Sequence, residues 1–189
     1  MNPFAVVGVE PCLALNESVV AGRVRELLKE THPDHGGGEE TFTEVRKAGD
    51  ILKSPLLRLK SALGLVGIDE VPRGEIANEI MNFFGSVADV LAEVDCFVSE
   101  RAKALSALGK AMIDAKIPSL KKKLEVLVAE LADLEIELVA KFADFDELGW
   151  EMAVEEMLAT ARSLAFLGNW QGQLRAANGK IFEALLAGA

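Results

Sequence analysis

Six leucines, Leu120, Leu124, Leu127, Leu131, Leu134 and Leu138, limit what this chain can fold into more than any other feature. Their spacing alternates fours and threes, which lines all six along one stripe of an α-helix and makes that stripe a packing seam. Trp150, Val154, Met157, Ala161 and Leu164 repeat the rhythm downstream. No stretch shows the period-two alternation of a half-buried strand, so the fold class is all-α. Long helical stretches are expected over about 75–115, 119–142 and 147–186, punctuated by Pro118 and by a turn at Asp144-Phe145-Asp146. Short connections between such stretches predict an antiparallel three-helix bundle.

The N-terminal third reads as shorter helices. Asn16 is a good N-cap for a run that places Val19, Val20, Val24, Leu27 and Leu28 on one face. The run must stop near Thr31, because proline at 33 pushes His32 out of the helical region. The loop Asp34-His35-Gly36-Gly37-Gly38 follows, and Thr41-Phe42-Thr43-Glu44 has the form of a capping box. That box opens a helix with Phe42, Val45, Ala48 and Leu52 on one face. Ser54-Pro55 combines an N-cap with proline at the first helical position and starts a short helix through about Leu63. Gly64 to Gly74 reads as a connecting segment, which divides the chain into residues 1–66, a linker over 67–74, and a bundle over 75–189.

Half of the 189 residues are hydrophobic and 26% are charged, enough for a packed core and unlike a disordered chain. No apolar run approaches the length of a membrane span. The first nine residues lack the basic start and small-residue cleavage site of a secretory signal. Cys12 and Cys96 fit no metal or redox spacing, so a reducing, cytoplasmic setting is expected. The net charge of −10 is uneven, with −1 over residues 1–68 and −9 over the remainder. An acidic second half weighs against nucleic acid and anionic lipid and favours protein partners. Two histidines and no paired constellation leave an enzyme without support, and no cofactor or metal is expected.

His32-Pro33-Asp34, at the tip of two amphipathic helices, carries the functional reading. Its setting resembles the J-domain over roughly residues 2–63. Asn2-Pro3-Phe4-Ala5-Val6-Val7-Gly8-Val9 is similar to that family's first helix and closing Gly-Val, and Arg23-Val24-Arg25-Glu26-Leu27-Leu28-Lys29 to its basic second helix. The resemblance implies that His32, Pro33 and Asp34 activate the ATPase of an Hsp70 partner and that Arg23, Arg25 and Lys29 dock on it. Thr31 stands where the family usually has tyrosine, His35 where it has Lys or Arg, and Gly49 where an aromatic is common, while Glu26 and Glu30 dilute the positive face.

Ser54-Pro55-Leu56-Leu57-Arg58, Ser61-Ala62-Leu63 and the linker resemble the segment after the J-domain in HscB-type co-chaperones. Glu79-Ile80-Met81-Asn82-Phe83-Phe84 resembles the start of their bundle, and Trp150-Glu151-Met152-Ala153 with Leu164-Ala165-Phe166-Leu167 its last helix. This resemblance implies delivery of an iron–sulfur cluster scaffold protein to a dedicated Hsp70, with Ile80, Met81, Phe84 and Phe166 as one exposed client-binding patch. Acidic family positions nearby are Gly85 and Ala88 here, and the glycine-rich loop after the tripeptide is shorter than in HscB.

Plainer readings stand beside these. The tripeptide could be a simple helix terminator, and His32, Asp34 and His35 have no further Cys or His nearby to complete a metal shell. Glu39 and Glu40 after the glycines would repel phosphate. Bundle core is the rival reading for Ile80, Met81, Phe83 and Phe84, and for Trp150 and Trp170, while Lys121-Lys122-Lys123 reads as a solvated face. A J-protein with an unrelated client, or a helical scaffold with a non-activating J-domain, are the alternative functions.

Overall fold

The computed structural model describes residues 1–35 and 37–187. Helices α1 (Pro3–Val7), α2 (Glu17–Glu30), α3 (Glu39–Lys53) and α4 (Pro55–Leu65) come first. They are followed by α5 (Asn78–Met81), α6 (Phe83–Lys103), α7 (Ala107–Asp114), α8 (Ile117–Leu148) and α9 (Trp150–Leu186). The described residues contain no strand, and the fold is all-α.

Local chemistry sets most of the helix ends. Asn2 and Asn16 cap α1 and α2 by accepting hydrogen bonds from the second and third backbone amides after them. Ser54 caps α4, where Pro55 needs no amide partner. Helix α3 starts at Glu39 behind an extended Gly38 and uses no side-chain cap, so Thr41 to Glu44 lie inside the helix and form no capping box. Glu39 and Glu40 occupy its first turn, where negative charge complements the exposed amides. Helix α4 runs to Leu65, two residues past the expected end.

The chain forms two compact units, Met1–Glu75 with Glu137–Leu164, and Ile76–Ile136 with Ala165–Ala189. The units are drawn differently from the sequence division at the linker, because residues 137–164 pack with the N-terminal helices. In the first unit Phe4, Val7, Val20, Val24, Ala48 and Leu52 form a buried cluster, with Leu27, Leu28 and Trp150 packed against it. Val19 does not share that face. It is 60% exposed, since a helix turns about 100° between neighbours and Val20 takes the inward position. Gly49 lets α3 come close to α2, for a Cβ there would stand 2.8 Å from Val24 Cγ1.

Helix α8 does not turn at Asp144-Phe145-Asp146 but continues to Leu148. The break comes at Gly149, whose φ of 88° suits glycine. Within the helix, Phe142 and Phe145 are buried, and the guanidinium of buried Arg58 lies 5.4 Å from the Phe142 ring centre. Arg58 also donates to the Leu52 carbonyl at 2.9 Å. Asp146 accepts hydrogen bonds from the backbone amides of Leu13 and Ala14, each at 2.8 Å, and from Trp150 Nε1 at 2.7 Å.

In the second unit Val87, Val90, Val94 and Phe97 of α6 are buried. Leu120, Leu124, Leu127 and Leu131 of α8 and Leu167, Trp170, Leu174, Ala177 and Ile181 of α9 are buried with this unit too. The leucine seam is therefore real, with Leu134 half-buried and Leu138 buried in the first unit. The expected continuous stretch over 75–115 is broken at Ala104-Leu105-Ser106, where the Ser106 hydroxyl accepts from Gly109 N–H and starts α7.

Asp146 ties the segment between α1 and α2 to the end of α8, so its removal has a predictable cost. Hydrogen bonds to a charged acceptor contribute about 1.5–3 kcal/mol each, and stranded amides recover part of that from water. Asp146→Ala is expected to lower unfolding free energy by about 2–4 kcal/mol in a urea titration. A loss below about 1 kcal/mol would contradict this role.

Candidate functional site

The site is built at the turn between α2 and α3. Thr31 ends α2: its amide and its hydroxyl both donate to the Leu27 carbonyl, at 2.9 and 2.7 Å. Pro33 cannot continue the ladder and instead begins a single 3-10 turn over Pro33–His35. Two backbone bonds then converge on His32. The Asp34 amide donates to His32 Nδ1 at 3.1 Å, and the Gly37 amide donates to the His32 carbonyl at 3.1 Å. The imidazole also stands edge-on to the Phe42 ring, with centroids 5.3 Å apart and planes at 83°.

These contacts fix the ring and place the Asp34 carboxylate outward. Asp34 keeps 83% of its side chain exposed, against 41% for His32. Accepting from the Asp34 amide requires Nδ1 to be unprotonated, which puts the ring proton on Nε2. Nδ1 also lies 3.6 Å from Asp34 Oδ2. The glycine run has a steric purpose. A Cβ on Gly37 would fall 2.1 Å from the Thr31 carbonyl oxygen, so any side chain there must displace the turn. Gly36 and the His35 side chain lie outside the described residues.

Arg23, Arg25 and Lys29 are all exposed on α2. Arg23 pairs with Glu26 at 3.4 Å, an exposed contact of little energy. Arg25 and Lys29 are i,i+4 neighbours and make no ion pair among the described residues, so both charges remain available to a partner.

The four apolar residues singled out from the sequence do not form one exposed patch. Ile80 is 1% exposed and belongs to the core of its unit. Met81 is 48% exposed and Phe84 46%, while Phe166 is half-buried. Phe84 packs on Phe166 with ring centroids 6.3 Å apart, and edge-on to Trp170 at 5.3 Å. Trp170, read from the sequence as core, is buried and adds a third ring to this cluster. Its i,i+4 spacing from Phe166, with centroids 5.8 Å apart, was the available signal for that contact. Gly85 and Ala88 are exposed on α6 near Phe84 in sequence and add no charge.

Among the described residues no group of three His, Cys, Asp or Glu is placed to hold a metal ion, and no helix is long and apolar enough to cross a membrane. Both cysteines are free thiols. Burial, and to a lesser degree Asp146, raises the pKa of Cys12.

No family model matches the chain. Two curated relatives, from Vibrio vulnificus strains YJ016 and CMCP6, are each described as "Co-chaperone protein HscB homolog". Each is 25% identical over 191 residues, covering 96% of this chain and 99% of its own length. The likeness thus takes in both compact units and the tripeptide turn, and the chain resembles an HscB-type J-domain co-chaperone along nearly its whole length.

Proposed function

We propose that the protein is a co-chaperone of iron–sulfur cluster assembly that stimulates ATP hydrolysis by an Hsp70 and brings it a scaffold protein as client. It performs no bond chemistry itself. One observation carries the reading: His32-Pro33-Asp34 is held as an ordered turn at the tip of the α2–α3 hairpin, with the Asp34 carboxylate presented to solvent. Arg25 and Lys29 on the adjoining helix supply positive charge for docking. Such a surface can act only by binding the hydrolysis-competent state of its partner more tightly than the other state.

In this reading the residues 1–66 form the J-domain, joined by the 67–74 linker to a client-binding region over 75–189. The client face is Met81, Phe84 and Phe166, while Ile80 is buried and lies outside it. A J-protein with a different client is the second reading, favoured by the burial of Ile80 and by uncharged Gly85 and Ala88.

His32→Gln tests the activating role. It is expected to leave the helical circular dichroism unchanged and to abolish stimulation of single-turnover ATP hydrolysis by the Hsp70. Undiminished stimulation would sink the mechanism.

Met81→Ala with Phe84→Ala tests the client face. About half of each side chain is already covered, so each still has roughly 1 kcal/mol to gain from burial at an interface. Affinity for the scaffold protein should fall about thirtyfold or more, with only a small drop in melting temperature. A large drop in melting temperature with unchanged affinity would place both residues in the core and the client elsewhere.

A further inference from the structure

The acidic average of the second half conceals a local reversal of charge. Residues 101–123 contain seven basic residues, Arg101, Lys103, Lys110, Lys116 and Lys121 to Lys123, against the single acid Asp114. That segment carries +6, and the rest of the chain therefore −16. It consists of the end of α6, the break at Ala104-Leu105-Ser106, all of α7 and the start of α8.

Helix α7 is also turned inside out. None of its residues is buried. Its more covered face is Gly109, Lys110, Ile113 and Asp114, while Ala107, Leu108, Ala111 and Met112 are exposed. Asp114 is held on the covered side by Arg101, whose Nε lies 2.7 Å from Oδ1 and which also donates to the Ala184 carbonyl. That ion pair fixes the rotation of the helix and leaves Leu108 and Met112 outside. Leu108 is 74% and Met112 69% exposed, and Leu105 just before the helix is 100% exposed. Fully burying a side chain of this kind contributes substantially to stability, so a segment that forgoes three such burials, two of them on α7, presents an unfilled apolar ridge.

Cations flank the ridge in the sequence. Lys116 and Lys123 are engaged by Glu100 and Glu93, at 2.7 and 2.6 Å. Lys103, Lys121 and Lys122 are exposed and make no ion pair among the described residues. We propose that the α6–α7 corner is a docking surface for an anionic lipid membrane, with Leu105, Leu108 and Met112 entering the acyl boundary and Lys103, Lys121 and Lys122 meeting the headgroups.

Charge and shape together select this occupant. A second copy would set the same unpaired lysines against each other, which opposes association. An acidic protein would satisfy the charge, but a protein interface needs matched packing around its anchors. Leu105 is wholly exposed, with no covering side chain to build such a socket. A fluid acyl layer accepts a projecting side chain without shape matching, and lysines beside an apolar face are the pattern of interfacial helices. Glu100 and Glu93 neutralise Lys116 and Lys123, and charges more than about 10 Å away are screened at ordinary ionic strength, so the unpaired lysines govern contact.

Vesicle flotation tests the proposal with the full-length protein. Wild type should float with vesicles of phosphatidylcholine mixed with an equal part of phosphatidylglycerol, and not with phosphatidylcholine alone. Both Leu105→Ser/Leu108→Ser/Met112→Ser and Lys103→Glu/Lys121→Glu/Lys122→Glu should reduce the bound fraction at least about tenfold. Added salt should weaken wild-type binding as well. If the triple serine variant melts early, Leu105→Ser alone replaces it, since that side chain touches nothing that holds the fold. Wild type that fails to float with anionic vesicles, or variants that float equally well, would overturn the proposal. So would retention on immobilised polyglutamate without vesicle binding, which marks an acidic protein partner. A concentration-dependent dimer in light scattering, lost in the serine variant and unaccompanied by flotation, would assign the ridge to a second copy and overturn it too.

Discussion

Pro33 forbids the helix that ends at Thr31 from going on, because its ring excludes the helical geometry before it and it has no amide to donate. The chain must turn there, and α3 must return along α2. Everything at the candidate site follows from how that turn is satisfied. The Asp34 and Gly37 amides, left without helical partners, both find acceptors on His32. The histidine is therefore held by the backbone of its own turn and by the edge contact to Phe42. Thr31 closes α2 by bonding back to Leu27, a function that needs only a hydroxyl of the right reach. Gly37 passes so close to Thr31 that no Cβ fits. The shortness of the loop and the order of the tripeptide are one property.

The hairpin does not stand alone. Its core of Val20, Val24, Ala48 and Leu52 is completed by Phe4 and Val7 of α1 and by Trp150 of α9. Asp146 draws the α1–α2 connection against the end of α8, and Arg58 spans from the Leu52 carbonyl to the Phe142 ring. Burial lowers the pKa of the Arg58 guanidinium, and the nearby Glu17 carboxylate opposes that shift. The ends of the two long helices are thus part of the unit that presents the tripeptide.

Helical periodicity made most elements legible in the sequence, as did the side chains of Asn16 and Ser54, whose capping chemistry is local. The failures share a physical origin. Thr41-Phe42-Thr43-Glu44 satisfies the capping-box pattern, but Gly38 adopts an extended conformation that lets the helix begin earlier at Glu39. Asp144-Phe145-Asp146 looks like a turn because Asp favours turns; here Asp146 spends its acceptor atoms on amides far along the chain, and Gly149 makes the break. The interruption at Ala104-Leu105-Ser106 contains neither glycine nor proline and carried no signal except a serine cap. The tripeptide was readable because its neighbours define it. Which of Ile80, Met81 and Phe84 faces outward depends on what packs against them, and the inward turn of Ile80 follows from tertiary contacts that no local pattern encodes.

The proposed Hsp70-facing surface is the end of α2 and the turn after it. Chemical-shift mapping on isotope-labelled protein, titrated with the ATP-bound Hsp70, tests it most directly. The account predicts that the perturbed amides gather at Arg23, Arg25, Lys29 and His32 to Asp34, and that those of α6 and α7 stay in place. Binding that leaves the turn unperturbed and shifts signals in the second unit instead would contradict it.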